Sequence, residues 1–594
     1  MSLFPSRRRP GFHAGDDLQA GVAVRLDGVR SEALETGRSR LLATALVFVL
    51  VFGAIAVRLV DVTLLDHGGN SGAGTGGGRS SGVEMARADI TDRNGVLLAS
   101  SLPTVSLFAR PDDLRTARAD PVEAATRLVG VLPELDVADV AALLGSNRQF
   151  AYLRRNLTPR QYQDVNALGI PGLQFEKGET RVYPHGPLLA HVVGMTDIDN
   201  VGIAGIEKRF ETTLRDSHEP LPLSIDIRVQ TIVRDQLLRA VEEFRAIGAT
   251  GMVMDVRTGE LLAMVSLPDF DPNDPPPGTD PALFNRATKG AYEMGSTFKL
   301  FNTAMALESG RITMNSSFDA TKPLVFAGRV IHDDHAQNRW MTVPEILIHS
   351  SNIGSARMAL EVGTEAQRAF LGRIGMLAPP AIELPEVGAP LVPNPWREIN
   401  TITISFGHGL SVTPLQLLAG TAALVNGGEY HAPTLLAHPA GEQTPAFRVV
   451  KPATSAQMRQ LMRMVVADGT GKKADVPGYD VGGKTGTAEK AAHGGYRRKA
   501  VLASFIATFP SDDPRYAVLI MVDEPQGTRE TYGFIAAGWT AAPVAGRVIA
   551  QIAPLLGLMP KPVAPPQPVA GRGRDGRPAT ATTQPGGHEV AAFD

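Results

Sequence analysis

The sequence predicts an α+β fold in which an antiparallel sheet is flanked by helices, with a single transmembrane helix near the N-terminus. Residues 249–256 and 261–265 are apolar runs joined by the turn Arg257-Thr258-Gly259, as in a pair of strands. A helix-rich centre follows, and then come three more segments of strand character, at Lys484, 500–509 and 515–522. Strands on both sides of a helical centre are what a helix-flanked antiparallel sheet requires.

The N-terminal region contains an uncharged apolar run, residues 41–57, that continues past Arg58. Its length is at the lower limit for a bilayer-spanning helix, and Arg58 can extend the span by reaching to the interface. The basic residues that precede it are Arg7, Arg8, Arg9, Arg25, Arg30, Arg38 and Arg40. The positive-inside rule therefore predicts a cytoplasmic tail (1–40), an uncleaved anchor (41–65) and a body outside the cytoplasm. A cleaved signal peptide is the alternative, but the long basic lead and the length of the run argue against it.

Composition divides the remaining chain into four parts. Residues 66–82 are a Gly/Ser linker that cannot form a core. Residues 83–222 mix short strand patterns with amphipathic stretches, whereas residues 223–558 have a denser pattern that includes an amphipathic helix at 229–244. Pro, Gly, Ala and Thr dominate residues 559–594, and we expect this tail to be disordered.

Overall composition excludes several classes of function. The 594 residues are enough for two or more folded domains, and 43% of them are hydrophobic, which supplies sizeable cores. The net charge of −3 gives no indication of nucleic-acid binding. Because the chain has no cysteine, disulfides, thiolate catalysis and cysteine-ligated zinc are excluded.

Three short motifs have the composition and order of a serine acyl-transfer site. They are Gly295-Ser296-Thr297-Phe298-Lys299, Ser350-Ser351-Asn352 and Lys484-Thr485-Gly486-Thr487. A Ser-x-x-Lys tetrapeptide alone is weak evidence, because about one or two are expected by chance in a chain of this length. The ordered set of three is far rarer and indicates a catalytic serine.

Ser296 and Lys299 are the predicted nucleophile and base. A serine hydroxyl is a weak nucleophile until a neighbouring group takes its proton. Because the two residues are three positions apart, a helix would place them on one face, and we expect Ser296 near the N-terminus of a helix that includes 298–307. Lysine acts as a base only if desolvation or a nearby positive charge lowers its pKa, and Lys484 is a candidate for that charge.

The Lys484 motif is also a candidate binding site for a carboxylate. The amine of Lys484 and the hydroxyls of Thr485 and Thr487 are groups that bind carboxylate oxygens. Gly486 between them would let a substrate approach the strand backbone closely.

With these motifs, the chain resembles the class B penicillin-binding proteins, specifically the septal peptidoglycan transpeptidases of the FtsI type. The resemblance extends from the predicted anchor to about residue 557 and includes further segments, at 87–95, 181–184, 190–191, 202–207, 223–226 and 409–416. Two positions depart from the family pattern: Met294, where many relatives have proline, and His408, where tyrosine is common. Neither departure removes a catalytic group, so both concern only the local shape of the pocket.

The resemblance implies a fold and a reaction. Residues 83–222 would form a non-catalytic pedestal domain, and residues 223–558 a transpeptidase domain with the penicillin-binding fold. Ser296 would attack the penultimate D-Ala carbonyl of a stem peptide, with an oxyanion hole formed by backbone N–H groups of Ser296 and Thr487.

The other motif residues would have supporting roles by the same resemblance. Ser350 would relay a proton to the departing D-Ala with help from Lys484, while Asn352 would orient Lys299 and the substrate amide. Thr485 and Thr487 would hold the terminal carboxylate of the substrate. No metal or cofactor is implied.

The resemblance also implies partners and a location. The expected ligands are peptidoglycan stem peptides and β-lactam antibiotics. The expected partners are divisome membrane proteins, including a SEDS-family glycan polymerase such as FtsW. The protein would span the inner membrane once at the division septum, with its catalytic domain in the periplasm.

Four alternatives differ in what they require. Elongation-type class B relatives tend to have aspartate where this chain has Asn352, so the chain is interpreted as divisional by analogy. A carboxypeptidase or β-lactamase would share the three motifs. Class A β-lactamases place asparagine four residues after their deacylating glutamate, and no Glu between Asn352 and Lys484 has that neighbour, Glu398-Ile399-Asn400 included. A membrane-bound β-lactam receptor would need a substantial cytoplasmic partner domain, and we expect residues 1–40 to be too short and polar to form one. A bifunctional class A synthase would need a glycosyltransferase domain, for which residues 83–222 leave no room beside a pedestal.

The segment Ile331-His332-Asp333-Asp334-His335 is superficially similar to a metal site. It holds only two histidines with adjacent acids, and relatives have a comparable polar turn. We therefore assign no metal to it.

Overall fold

The computed structural model describes residues 48–49, 52–53, 86–439, 441–492 and 495–562. The chain divides into two compact units, Met1–Glu84 and Met85–Asp594. The predicted tail at 1–40, nearly all of the anchor at 41–65, the linker at 66–82 and the C-terminal residues from 563 onward lie outside the described residues. Within the described ranges, no helix is both long enough and apolar enough to span a bilayer.

The first part of the second unit is built on a sheet with one long central strand. Its strands are Ile90–Thr91 (β1), Leu97–Ala109 (β2), Ala151–Leu157 (β3), Leu173–Val182 (β4) and Leu221–Pro222 (β7), and Met195–Thr196 (β5) and Gly202–Ala204 (β6) form a separate two-stranded sheet. β2 pairs antiparallel with β1, β3 and β4, whereas β7 pairs parallel with β1 and β5 pairs with β6. A long central strand with partners on both edges gives the region a rigid framework.

Short helices surround this sheet: Pro111–Thr116 (α1), Pro121–Val129 (α2), Val137–Leu144 (α3), Pro159–Ala167 (α4), Ala190–Val193 (α5), Gly205–Arg209 (α6) and Glu211–Asp216 (α7). Three begin at side-chain caps that satisfy free backbone N–H groups, at Asp120, Asp136 and Thr158. Helices α1 to α4 bury a small core against the sheet, including Leu107, Leu114, Leu128 and Val165.

Three of the family-like segments meet at a buried carboxylate. Glu207 of α6 is fully buried, and its oxygens lie 2.7 Å from Arg87 Nε and 2.7 Å from Arg181 Nε. Nearby, the backbone N–H of Gly205 donates to Glu386 from the later part of the chain, at 3.3 Å. These segments, scattered in sequence, therefore form one charged cluster in the interior.

The larger part of the unit is built on a five-stranded antiparallel sheet. The remaining strands are Gly248–Asp255 (β8), Leu261–Leu267 (β9), Tyr292–Glu293 (β10), Ser317–Asp319 (β11), Leu324–Phe326 (β12), Arg329–Ile331 (β13), Trp340–Thr342 (β14), Ser411–Val412 (β15), Glu429–His431 (β16), Ala446–Arg448 (β17), Gly482–Ala492 (β18), Gly495–Phe509 (β19) and Tyr516–Asp523 (β20). The order across the sheet is β18-β19-β20-β8-β9. β18, which carries Lys484, is therefore an edge strand.

Helices cover both faces of this sheet. They are Ile227–Glu243 (α8), Lys299–Glu308 (α9), Val343–Ile348 (α10), Asn352–Val362 (α11), Thr364–Arg373 (α12), Glu398–Ile404 (α13), Pro414–Val425 (α14), Pro452–Ala467 (α15) and Ala541–Leu555 (α16). α8 and α16 bury one face through residues such as Val233 and Val548 against Val253 and Ile520. The other face, with Met252 and Leu519, belongs to the core formed by α9, α14 and α15.

The predicted α+β architecture is confirmed, and its elements lie close to the expected positions. The amphipathic helix expected at 229–244 is α8, and the five expected strands are β8, β9, β18, β19 and β20. One boundary differs. Residues 559–562, which begin the tail expected to be disordered, are described; Lys561 donates its backbone N–H to Gly478 O at 2.8 Å, and its Nζ lies 2.7 Å from Asp480 Oδ2.

Candidate active site

Ser296 lies in a 3₁₀ turn, Gly295–Phe298, that leads directly into α9. Gly295 has a φ of 54°, and a Cβ there would lie 2.7 Å from Thr487 O of β18. Its N–H donates to Gly407 O at 3.2 Å. Glycine is therefore required at this position, because both the left-handed backbone and the contact with β18 exclude a side chain. The turn holds Ser296 beside the edge strand of the sheet.

Lys299, the first residue of α9, is fully buried. Its Nζ lies 2.7 Å from Ser296 Oγ, 2.7 Å from Asn352 Oδ1 and 3.2 Å from Ser350 Oγ. Burial lowers the pKa of Lys299 to about 7, although the carboxylates of Asp334 and Asp333 act in the opposite direction. A substantial fraction of the amine is therefore neutral near pH 7 and able to accept the Ser296 proton.

The second motif forms the connection between α10 and α11. Ser350 has a φ of 58°, which lies in the left-handed region. Ser351 is the N-cap of α11, and its hydroxyl accepts the Gly354 N–H at 3.0 Å. This arrangement points the Ser350 hydroxyl and the Asn352 amide at the same amine, that of Lys299.

Lys484 is fully buried on β18. Its Nζ lies 3.1 Å from Ser350 Oγ and 3.0 Å from Thr485 O. Burial lowers the pKa of Lys484 well below its ordinary value, and the like charge of Lys299 lowers it further. For Lys299 the main cause is also desolvation, so a charge on Lys484 is not needed to make Lys299 a base.

The other residues of the Lys484 motif lie along β18. Thr485 Oγ1 lies 2.6 Å from Thr470 Oγ1, and Thr487 Oγ1 accepts the Ala537 N–H at 3.1 Å. At Gly486, a Cβ would lie 2.6 Å from Met294 O. Glycine is thus required here because β18 packs against the turn before Ser296. The sequence suggested a different reason, namely close approach of a substrate to the strand backbone.

A cleft of about 490 Å³ opens onto these groups. Of the predicted residues, Ser296, Ser350, Thr485 and Thr487 line it. Lys299 and Lys484 are buried behind its wall, where water does not reach them. The cleft therefore presents hydroxyls to a substrate and holds both amines behind them, within hydrogen-bonding distance of Ser350.

Asp334 and His335, which the sequence suggested only as part of a metal-like segment, also line the cleft, and the residues that were missed altogether are His349, Thr470, Lys472, Lys473, Ala536, Gly538 and Trp539. Lys473 Nζ lies 3.3 Å from the centroid of the Trp539 ring, and the Phe534 and Trp539 rings are stacked at 5.3 Å. One sequence signal could have pointed to this part of the cleft. Segment 532–539 holds several aromatic residues, one of them a tryptophan, in a chain that has only three tryptophans.

The Ile331–His335 segment contacts the Ser350 motif. Ser351 Oγ donates to Asp333 Oδ2 at 2.7 Å, and Asn352 Nδ2 donates to His332 O at 3.0 Å. In the part of the chain that the structure describes, no three His, Asp or Glu side chains are grouped in a way that could hold a metal. Glu398, which was compared with the deacylating glutamate of class A β-lactamases, is exposed in the first turn of α13.

Comparison with known proteins agrees with this geometry. The family model of the penicillin binding protein transpeptidase domain matches residues 249–546, and that of the penicillin-binding protein dimerisation domain matches residues 83–219. The probable peptidoglycan D,D-transpeptidase FtsI of Caulobacter vibrioides is 42% identical over 505 residues, 83% of this chain and 85% of that protein. The probable peptidoglycan D,D-transpeptidase PenA of Neisseria gonorrhoeae is 34% identical over 77% of this chain and 83% of its own length.

Solved structures show the same fold. Penicillin binding protein 3 of Mycobacterium tuberculosis, solved with aztreonam, has a TM-score of 0.63 and 24% identity, covering 80% of this chain and 97% of that one. The transpeptidase domain of penicillin-binding protein 3 from Burkholderia pseudomallei has a TM-score of 0.52 and 34% identity, covering 57% of this chain and 97% of that one. The resemblance inferred from the motifs is confirmed, and the chain belongs to the class B penicillin-binding proteins as a serine-type peptidoglycan D,D-transpeptidase of the FtsI type.

Proposed function

We propose that this protein cross-links peptidoglycan stem peptides at the division septum through an acyl-enzyme on Ser296. The observation that carries the proposal is the buried Lys299 amine, which lies 2.7 Å from Ser296 Oγ and has a pKa lowered to about 7. A neutral amine at hydrogen-bonding distance is the activation that a serine nucleophile needs. The same chemistry makes the protein a target of β-lactams, which present a similar acyl group.

In the first half-reaction Ser296 Oγ bonds to the penultimate D-Ala carbonyl carbon while its proton passes to Lys299. The negative charge on the carbonyl oxygen is stabilised by the backbone N–H groups of Ser296 and Thr487. In support, the turn holding Ser296 packs directly on the Thr487 backbone, as the close approach at Gly295 shows. Collapse of the tetrahedral intermediate breaks the C–N bond and leaves the ester.

The departing D-Ala takes a proton at its nitrogen through Ser350. That hydroxyl lies 3.2 Å from Lys299 Nζ and 3.1 Å from Lys484 Nζ, so it can pass on the proton that Lys299 received. Thr485 and Thr487, which line the cleft, bind the terminal carboxylate. Asn352 holds Lys299 in place through its amide oxygen. An amine of a neighbouring stem peptide then attacks the ester carbon, the C–O bond to Ser296 breaks, a proton from the amine returns to Ser296 Oγ through Lys299, and the new C–N bond is the cross-link.

We further infer a membrane-anchored arrangement. Residues 41–65 are the anchor, residues 1–40 are cytoplasmic and the pedestal (83–222) and transpeptidase (223–558) domains are periplasmic. The uncharged run and the basic residues before it support this topology. By family membership, the partners are divisome membrane proteins, including a SEDS-family glycan polymerase such as FtsW.

The test is mass spectrometry of the full-length protein after incubation with a penicillin. Peptide mapping is expected to place the adduct on Ser296, and a Ser296→Ala variant is expected to remain unlabelled. A thioester stem-peptide analogue supplied with a D-amino acid is expected to give the aminolysis product. An adduct on any other residue, or no acceptor-dependent product, would contradict the proposal.

The second candidate function is a hydrolase. Among the described residues that line the cleft, Asp334 carries a carboxylate. A hydrolase would use such a group to activate water against the acyl-enzyme. A transpeptidase is expected to keep the adduct for minutes or longer, which corresponds to a deacylation barrier of at least about 20 kcal/mol. Rapid loss of the adduct that becomes slow in an Asp334→Asn variant would favour hydrolysis. Equal persistence in both proteins supports transpeptidation.

A further inference from the structure

The backbone at Ser350 is held in an unusual conformation. Its φ of 58° lies in a region that serine seldom adopts and that persists only where the surroundings impose it. The hydroxyl on this residue is the group shared by Lys299 and Lys484. The contacts that hold residues 350–353 in place therefore also hold the Ser350 hydroxyl in position between the two lysine amines.

Asp333 makes two hydrogen bonds to this segment. Its Oδ2 accepts the Ser351 hydroxyl at 2.7 Å, and its Oδ1 accepts the Ile353 N–H at 2.9 Å. Ser351 and Ile353 lie on either side of Asn352, at the start of α11. A carboxylate at this end of a helix is favoured, because the free backbone N–H groups there attract negative charge.

The residues next to Asp333 strengthen the contact. The carbonyl oxygen of His332 accepts Asn352 Nδ2 at 3.0 Å, which leaves Asn352 Oδ1 directed at Lys299 Nζ, 2.7 Å away. Ile331 is buried with Ala356 of α11 and Ile402 of α13. The segment is thus anchored in a small core beneath α11.

We propose that Asp333 is a positioning residue for acyl transfer, which clamps Ser351 and Ile353 and thereby fixes the Ser350 hydroxyl and the Asn352 amide against Lys299. The proposal rests on the proposed function, since it assigns Asp333 a part in the reaction at Ser296. It also gives the histidine–aspartate segment a role without metal. Asp333 acts through other residues, whereas its neighbour Asp334 lines the cleft.

A purely electrostatic role makes different predictions. Asp334 and Asp333 both favour the charged form of Lys299, and Asp334 has the larger effect on its pKa. Among the described residues, Lys484 and His408 also interact electrostatically with this amine. If charge were the cause, Asp333→Asn and Asp333→Ala would both lower the pKa of Lys299 and change the acylation rate to the same extent, and Asp334→Asn would change it at least as much. If the clamp is the cause, the isosteric amide of Asp333→Asn can still bond both partners.

The test is the second-order rate of acylation by a fluorescent penicillin, measured with each full-length variant. Asp333→Ala is expected to lower the rate by about 100-fold, the scale of loss when a catalytic group is displaced by about 1 Å. Asp333→Asn is expected to retain most of the rate. Asp319→Ala is the matched control, because Asp319 makes a similar turn contact, to the Thr321 N–H at 2.9 Å, away from the cleft. That control is expected to acylate at the wild-type rate.

A double-mutant cycle tests the route of the effect. If Asp333 acts through Ser350, then Asp333→Ala is expected to cost much less in a Ser350→Ala background than in the wild type. Should Asp333→Ala fail to fold, Ser351→Ala removes one of the same hydrogen bonds from the other side and is expected to slow acylation.

Three results would overturn the inference: an unchanged rate in Asp333→Ala or in Ser351→Ala, an Asp333→Asn variant as slow as Asp333→Ala, or full additivity with Ser350→Ala. Failure of the wild type to acylate at Ser296 would instead overturn the proposed function itself, so the two failures are distinguishable.

Discussion

Lys484 Nζ lies 3.1 Å from Ser350 Oγ, although the two residues are 134 positions apart in the chain. The same hydroxyl lies 3.2 Å from Lys299 Nζ. Ser350 therefore bridges two buried amines, and two positive charges so close together in a dry site repel each other. We infer that the pair shares charge, so that protonation of one amine lowers the proton affinity of the other.

The first prediction concerns pH. Acylation requires the neutral form of Lys299, whose pKa burial lowers to about 7, so the acylation rate is expected to rise as pH increases through about 7 and then level off. Burial also lowers the pKa of His408 below its ordinary value of 6.5, so that residue does not account for a midpoint at 7. Stopped-flow acylation between pH 5 and pH 9 is the measurement. A rate independent of pH would contradict the role of Lys299.

The same shift has a consequence for stability. The unfolded chain retains the Lys299 proton up to its ordinary pKa of 10.5, whereas the folded protein releases it near 7. The unfolded state therefore binds more protons between these values, and this group makes the folded state more stable as pH rises through that window. Denaturant unfolding of wild type and Lys299→Met across the window is the measurement. The pH dependence is expected to be weaker in the variant, and equal slopes would contradict the prediction.

The second prediction separates the two lysines. Lys299→Arg retains a positive charge but supplies no base, because guanidinium does not deprotonate, and it is expected to lose nearly all acylation. Lys484→Arg keeps an electrostatic partner for Ser350, and it is expected to retain more acylation. The rate of penicillin acylation measures both. Equal rates in the two variants would show that the roles are not divided.

The third prediction concerns Gly486 on the edge strand. A Cβ there would lie 2.6 Å from Met294 O and 2.6 Å from Ser504 Oγ. Gly486→Ala is therefore expected to push β18 away from the turn that holds Ser296, lowering acylation and reducing the free energy of unfolding by about 1–3 kcal/mol. Gly178→Ala in β4 is the matched control, since a Cβ there would meet nothing within 4 Å. Identical behaviour of the two variants would contradict the prediction.

The fourth prediction concerns the buried carboxylate of the pedestal. Glu207→Gln leaves the buried guanidinium groups of Arg87 and Arg181 without a full counter-charge, and it is expected to cost about 3–5 kcal/mol in the free energy of unfolding. Asp513→Asn, which breaks an exposed pair with Arg257, is expected to leave the free energy of unfolding nearly unchanged. The two variants are compared by denaturant unfolding. If both substitutions change the free energy of unfolding by a similarly small amount, the buried cluster contributes little to stability.

Much of the fold could be predicted because its elements carry local periodicity. The turn at 257–259 and the apolar runs beside it correspond to β8 and β9, and the amphipathic pattern at 229–244 corresponds to α8. The short strands β10 to β17 were not predicted. Strands of two or three residues carry no recognisable alternation, and long-range pairing stabilises them; Tyr292 of β10, for example, pairs with Val412 of β15.

The site, like the fold, contains residues that local motifs predicted and residues that they did not. The three motifs predicted Ser296, Lys299, Ser350, Asn352 and the Lys484 segment as site residues, because nucleophilic catalysis restricts which residue types can serve, and the structure brings these residues together. The cleft residues Thr470, Lys473 and Trp539 were missed, since each is an ordinary residue type outside any motif. Asp333 was considered only as part of a metal-like segment to which no metal was assigned, and its contacts to Ser351 and Ile353 were not predicted.

The sequence by itself therefore determined the family and the order of the main elements and supplied the candidate reacting groups, because these depend on residue type and local spacing. Only the tertiary structure decided the properties that make those groups reactive. Lys299 is an ordinary lysine in sequence, and its pKa is lowered to about 7 only because folding buries its amine completely. Desolvation and distance depend on residues far apart in the chain, and no local pattern records them.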